Sequence, residues 1–218
     1  MKKPGTKHRR PGGRNEAGQS GDMRNSAGMK FTPGTAQHFI VETERLSLRK
    51  LVPADASSRY ANWLADPEIM GALNVRPLRV TAAALAQHIA KMEDGRRVEI
   101  GVFLKWPAEH IGNLMLDFIP QHKSAKLSFF IGEKRLWGQG YLTEAASGLI
   151  TCLFEKHGME RIVAQAATEN AASIAALRKL GFVEEGKLRG EIISIKDNRR
   201  RDQYFFGLLK SDQSKNDS

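Results

Sequence analysis

Arg135-Leu136-Trp137-Gly138-Gln139-Gly140-Tyr141-Leu142-Thr143-Glu144-Ala145 joins an apolar run, residues 127–131, to a strongly periodic segment. Leu142, Ala145, Ala146, Leu149, Ile150, Leu153 and Phe154 recur at i, i+3, i+4, i+7, i+8, i+11 and i+12, the stripe of an amphipathic helix. Lys156 and His157 fall in its last turn and Gly158 just beyond, as a helix C-terminus prefers. Gly138 and Gly140 therefore stand where a strand becomes a helix. Unpaired N–H groups and the positive end of the helix dipole converge there, and glycine lets a ligand approach the backbone. Such a corner suits a phosphate. It is neither a dinucleotide fingerprint, since Thr143 replaces the third glycine, nor a Walker loop, since no G-K-[ST] follows. A lone G-x-G can also be only a tight turn.

A second stretch follows one predicted strand later: Thr168-Glu169-Asn170-Ala171-Ala172-Ser173-Ile174-Ala175-Ala176-Leu177-Arg178-Lys179-Leu180-Gly181-Phe182. With both in view, the chain resembles the GNAT superfamily of N-acetyltransferases, over roughly residues 40–209. Arg135, Gly138 and Gly140 match its pyrophosphate loop [QR]-x-x-G-x-[GA]; Asn170, Ser173, Leu177, Gly181 and Phe182 match its N-x-x-[AS]-x-x-L-x-x-x-G-F signature. Trp137 and Tyr141 look most like the ribosomal-protein N-terminal (Rim-type) branch.

The resemblance implies an α/β fold: a central, mostly antiparallel twisted sheet of six to seven strands with helices on both faces. It implies acetyl transfer from acetyl-CoA to a primary amine by direct attack in a ternary complex, without a metal. The cosubstrate would lie against Phe129, Phe130 and Ile131, where strands splay, and against Arg135, Leu136, Trp137, Gly138, Gln139, Gly140, Tyr141 and Leu142, with Asn170, Ser173 and Lys179 beside it. The N–H of Phe130 is the expected oxyanion donor. Many relatives place a tyrosine acid where this chain has Arg178, which cannot give up a proton near neutral pH. Ser173 is the alternative hydroxyl, with Asn170 holding its helix start and Tyr204 in reserve. A carboxylate base common in relatives is replaced by Lys126, leaving Glu133 and Asp117 as bases acting through water.

Composition agrees. A chain of 218 residues, 41% apolar, can bury one sizeable core. No run reaches membrane-spanning length, and no apolar segment follows the basic N-terminus, so a cytoplasmic protein is expected. The single cysteine, Cys152, leaves no intramolecular disulfide or cysteine zinc cluster and reads as a helix packing residue. Residues 1–37 read as a disordered basic tail. Within it Lys2, Lys3, Lys7, Arg9, Arg10, Arg14, Arg24 and Lys30 face only Glu16 and Asp22, giving +6 of the chain's +10. It could make a weak polyanion contact (RNA, ribosome or anionic lipid), stay solvated, or precede a true start at Met23 or Met29.

Residues 38–210 form the expected catalytic domain and 211–218 a frayed end. Along the domain, residues 44–51 alternate as a strand. Pro53 opens a helix carrying Ala56, Tyr60, Trp63 and Leu64, which Asp66-Pro67 stops. Thr81 caps a second helix, with Leu85, His88, Ile89 and Met92 on one side. By the resemblance these helices line the acceptor pocket, and residues 63–76 set its choice. Strands follow at 98–104, 111–119, 126–131, 161–167, 182–189 and 203–209, the last two flanking a basic tip, residues 196–201. The acceptor reads as a protein N-terminal amine or as a small amine such as an aminosugar or polyamine. A ribosome- or nucleic-acid-binding module is the reading from another class. Monomer and homodimer both stay open.

Overall fold

The computed structural model describes residues 40–91 and 96–213, all within one compact unit. The basic tail with its polyanion contact, Met92 and residues 214–218 lie outside the described residues. No helix among the described residues is long and apolar enough to cross a membrane.

One sheet of eight strands organises the unit: β1 (Ile40–Glu42), β2 (Leu46–Lys50), β3 (Arg97–Leu104), β4 (His110–Ile119), β5 (Ser124–Ile131), β6 (Arg161–Ala167), β7 (Val183–Ile193) and β8 (Arg200–Leu209). Their order is β1-β2-β3-β4-β5-β6-β8-β7. Every pair is antiparallel except β5–β6. The strand beyond the expected seven is β1, three residues whose exposed–intermediate–exposed pattern carries no burial signal. Both β7 and β8 run longer than their apolar patterns indicate, since β8's Asp202 accepts the Gly190 N–H at 2.8 Å and keeps the hairpin paired past that residue.

The helix after the glycines is α4 (Tyr141–Lys156), and six of the seven stripe residues are buried as read: Ala145, Ala146, Leu149, Ile150, Leu153 and Phe154 are all at most 1% exposed, while Leu142 is partly buried against the same core. Each large side chain there contributes about 1.5–3 kcal/mol. They join Leu127, Phe129 and Ile131 of β5, and Ile174 and Leu177 of α5 (Ala171–Lys179), in the larger core. Cys152 is buried beside them, and burial raises its thiol pKa, as suits packing rather than attack. Phe130, one residue out of phase with Phe129, instead joins a smaller core with α1 (Ser58–Ala65), α2 (Pro67–Ala72) and α3 (Ala82–Lys91). The pleat of β5 thus places helices on both faces.

Two helix expectations change. Pro53–Asp55 is a separate 3-10 turn, closed by Asp55 accepting the Val52 N–H at 2.8 Å, and α1 starts afresh with Ser57 accepting the Tyr60 N–H. Asp66-Pro67 ends α1 but also starts α2. Its carboxylate accepts the Glu68 and Ile69 N–H groups, while proline suits the first helical position. Thr81 caps α3 as read, taking the Ala84 N–H at 3.1 Å. Past Lys210 the chain is not frayed at once: α6 (Lys210–Gln213) adds a turn in which Asp212 accepts the Leu209 N–H at 3.0 Å.

Candidate active site

The parallel pair β5–β6 is in register only at Ser124↔Arg161, Ala125↔Ile162 and Lys126↔Val163. Beyond Lys126 the strands are no longer paired. On β5's other side the ladder to β4 continues to Ile131, and the Gly132 N–H donates to the Ile111 carbonyl at 2.8 Å. Alternation along an antiparallel ladder then turns the N–H and C=O of Phe130 towards Asn113, and those of Phe129 and Ile131 towards the gap. This corrects the oxyanion donor: Phe130's amide belongs to the ladder, and Phe129 and Ile131 hold the free edge. The Ile131 carbonyl is partly capped, since Trp137 Nε1 donates to it at 2.8 Å.

A cleft of about 420 Å³ opens on this edge. Its walls include Phe129, Phe130, Ile131, Leu136, Trp137, Gly138, Gly140, Tyr141, Leu142, Asn170, Ser173 and Lys179, all expected from the sequence. Gly138 and Gly140 have φ of 74° and 82°, a left-handed region that few other residues adopt. A Cβ on Gly138 would meet nothing within 4 Å, so the space before the helix is open. Gly140 caps α4 with no side-chain hydrogen bond, and the first helical bond is Glu144 N–H to the Gly140 carbonyl. The first-turn amides thus face an open, apolar-walled corner with room for a diphosphate.

Five expected residues are not in the lining: Arg135, Glu133 and Gln139 of the loop, and Asp117 and Tyr204. Arg135 Nη2 pairs with Glu109 at 2.5 Å and its Nε lies 3.4 Å from Glu133, so the guanidinium is held by two carboxylates. Glu133 also accepts from Trp63 Nε1 at 3.2 Å and lies 3.7 Å from Arg59. It is a clamp between α1 and the loop. Gln139 turns back to the Arg135 carbonyl at 2.7 Å. Asn170 does hold its helix: Oδ1 accepts the Ser173 N–H at 3.1 Å. Its Nδ2, however, donates to the Ala72 carbonyl at 3.0 Å rather than into the cleft. The Arg178 guanidinium pairs with Glu184, His88 is exposed on α3, and Arg201 of the basic tip pairs with Glu169 and Asp197.

The sequence reading missed the brace beneath the glycine turn. Glu144 Oε1 accepts from Thr43 Oγ1 at 2.6 Å and from the Arg45 N–H at 2.8 Å, and Oε2 from Arg45 Nε at 2.6 Å. Arg45 Nη1 reaches the Gln139 carbonyl at 3.2 Å, and its guanidinium lies over the Tyr141 ring. Burial pushes the Glu144 carboxyl up, but Thr43 and both Arg45 donors outweigh it and hold it below the ordinary glutamate value. A depressed carboxyl contributes stability above its unfolded pKa and loses it as pH falls through the folded one. Glu144→Gln should therefore cost about 1–2 kcal/mol at neutral pH. In denaturant titrations the gap to wild type should close below the ordinary glutamate range.

A smaller cavity of about 140 Å³ meets the cleft at Ala72, Leu73, Phe129, Asn170 and Ser173. Lys126, Ser128, Gln165 and Gln203 line it, with α2's end and Asn74 as its outer wall. Asn74 is fixed there, donating to the Ile193 carbonyl and accepting the Ile195 N–H, both at 3.0 Å. Among the described residues no carboxylate lines either cavity.

A strand edge left open beside a helix N-terminus, with a second cavity behind it, is an arrangement that can hold a phosphate-bearing carrier and a separate acceptor. The family model described as "Acetyltransferase (GNAT) domain" matches residues 45–183. The uncharacterized N-acetyltransferase p20 of Bacillus licheniformis is 33% identical over 172 residues, covering 77% of this chain and 94% of that protein. YdaF of Bacillus subtilis (strain 168), whose name carries a provisional assignment as a ribosomal N-acetyltransferase, is 32% identical over 178 residues, covering 77% and 92%. The structure of spermidine N-acetyltransferase from Vibrio cholerae, in complex with CoA and spermine, shares the fold. Its TM-score is 0.69 at 22% identity, covering 77% of this chain and 97% of that one. The chain belongs to the GNAT acetyltransferase family, and acetyl-CoA is its cosubstrate.

Proposed function

We propose that this enzyme acetylates a protein N-terminal α-amino group. The observation that carries the proposal is the junction of the two cavities at Phe129, Asn170 and Ser173, with no carboxylate lining either among the described residues. An α-amine has an ordinary pKa of about 8, so a useful fraction is neutral near pH 7 and needs no strong base. A lysine-type amine, at about 10.4, does. The provisional ribosomal assignment of YdaF supports the same reading.

In this reading acetyl-CoA supplies an activated acyl group. The first-turn amides of α4 and the glycine turn hold its diphosphate, and the open edge at Phe129 and Ile131 takes its arm. The N–H groups of Phe129 and Ile131 are the donors available to the oxyanion that forms when the amine attacks the thioester carbonyl. Ser173 protonates the departing thiolate and regains a proton through solvent as the attacking nitrogen loses one, and Asn170 positions it by capping α5. Glu133, held by Trp63, Arg59 and Arg135, is a positioning residue for the α1 wall rather than the base. Incubation with acetyl-CoA and a panel of peptides, aminosugars and polyamines, read by mass spectrometry, should place the acetyl group on peptide α-nitrogens. Acetylated sugars or polyamines with no acetylated peptide would contradict the proposal.

A further inference from the structure

We infer that the preferred acceptor carries an anionic group close to its reacting amine, and that Lys126 receives that group. The inference deepens the acyltransfer reading, because it takes the 140 Å³ cavity as the acceptor's way in. Lys126 and Ser128 point to the same face of β5, two residues apart and so roughly 7 Å along the strand. Gln165 and Gln203 add polar groups from β6 and β8, and Asn74, Asn170 and Ser173 line the remainder. The one formally charged side chain in this wall, among the described residues, is Lys126, whose Nζ donates to the neutral Gln165 Oε1 at 2.6 Å. Lys196 does not line this cavity; it lies beside Gly71 of α2, its Cε 3.1 Å from where a Cβ there would stand.

Three carboxylates on neighbouring positions are already engaged. Glu169 pairs with Arg201 at 2.5 Å, Asp202 with Lys187 at 2.7 Å, and Asp117, opposite Lys126 in the ladder, with Arg97 at 3.2 Å. A polyamine entering here would bring its second ammonium against Lys126 with no carboxylate in the wall to meet it. A carboxylate or phosphate a few bonds from the amine would reach Lys126 and Gln165 instead. At a separation of about 6 Å and an effective dielectric near 20, one unit charge changes affinity by roughly a hundredfold in either direction. Water in an open cavity reduces that towards tenfold.

The test compares kcat/KM, from thiol release, for amines matched except in charge. The pairs are peptides beginning with Glu, Ala or Lys over one common sequence, and glucosamine against glucosamine 6-phosphate, with spermidine as the polycation. The acidic member of each set should lead by about tenfold or more, with spermidine last. Lys126→Gln should flatten the order and Lys126→Glu should invert it, an effect that loss of packing alone would not produce. Binding of the same amines to the CoA-saturated protein, by calorimetry, reads the ratio independently of turnover. A wild type that prefers spermidine, or a ratio unmoved in Lys126→Glu, overturns the inference. Refusal of every peptide with acceptance of the small acidic amine removes the N-terminal reading and leaves this one standing. Acetylation of all peptides alike, with no charge preference in the small amines, does the reverse.

Discussion

Gly138→Val and Gly140→Val should each weaken acetyl-CoA binding by at least about a hundredfold, while the protein still folds. Two effects combine. At φ of 74° and 82° a β-branched residue is strained by about 1–2 kcal/mol, enough to shift the turn. The new side chain also occupies the corner itself: at Gly138 a Cβ points into empty space, and at Gly140 its nearest neighbour is Arg45 Nη2, 3.6 Å away. Losing two main-chain bonds to an ionised phosphate, at about 1.5–3 kcal/mol each, gives the expected magnitude. Gly138→Asn separates the two causes, since asparagine tolerates the left-handed conformation yet still fills the space. Calorimetry should show it binding nearly as poorly as valine, with a melting temperature closer to wild type. Full affinity in Gly138→Asn would mean that the diphosphate does not lie there.

Ser173→Ala should lower kcat by roughly a hundredfold and leave acetyl-CoA affinity nearly unchanged. The magnitude is that of losing a positioned acid. The affinity should hold because the helix cap uses the Ser173 main-chain N–H, which Asn170 Oδ1 accepts at 3.1 Å, and not its hydroxyl. Alanine keeps that bond. Single-turnover rates at saturating acetyl-CoA make the measurement, with Ser173→Thr expected to restore part of the rate. An unchanged rate in Ser173→Ala removes the residue from the chemistry and returns attention to Tyr204, half-buried on β8 against the larger core.

How much of this was legible beforehand depended on how local each signal was. The stripe of α4 lies in one uninterrupted segment, and its members from Ala145 to Phe154 are buried where the spacing puts them, with Leu142 partly buried at its start. The glycine turn was legible for the same reason, being bounded by that helix and by β5. Asp66-Pro67 was ambiguous because one dipeptide both ends α1 and caps α2; only the packing of Ile69 and Met70 into the smaller core decides for a second helix. Strand β1 had too few residues to show a period.

Side-chain partners were not legible where they are distant in sequence. Arg135 matches a phosphate-loop motif, but the fold brings Glu109 within 2.5 Å of its guanidinium across 26 positions. The Arg45–Glu144 brace spans 99 positions, and neither residue carries a local mark of it beyond an acid in a helix's first turn. Which of Phe129, Phe130 and Ile131 offers its amide depends on the register between β4 and β5. The sequence has no access to that register, and Gly132's bond to Ile111 fixes it.

The central claim is that the glycine turn and the free edge of β5 together hold acetyl-CoA. A crystal structure of the protein with CoA tests it most directly. The account predicts diphosphate oxygens within hydrogen-bond reach of main-chain N–H groups in residues 138–142, and the pantetheine arm against Phe129 and Ile131. A diphosphate bound away from the start of α4, or an arm that leaves the β5 edge untouched, would contradict it.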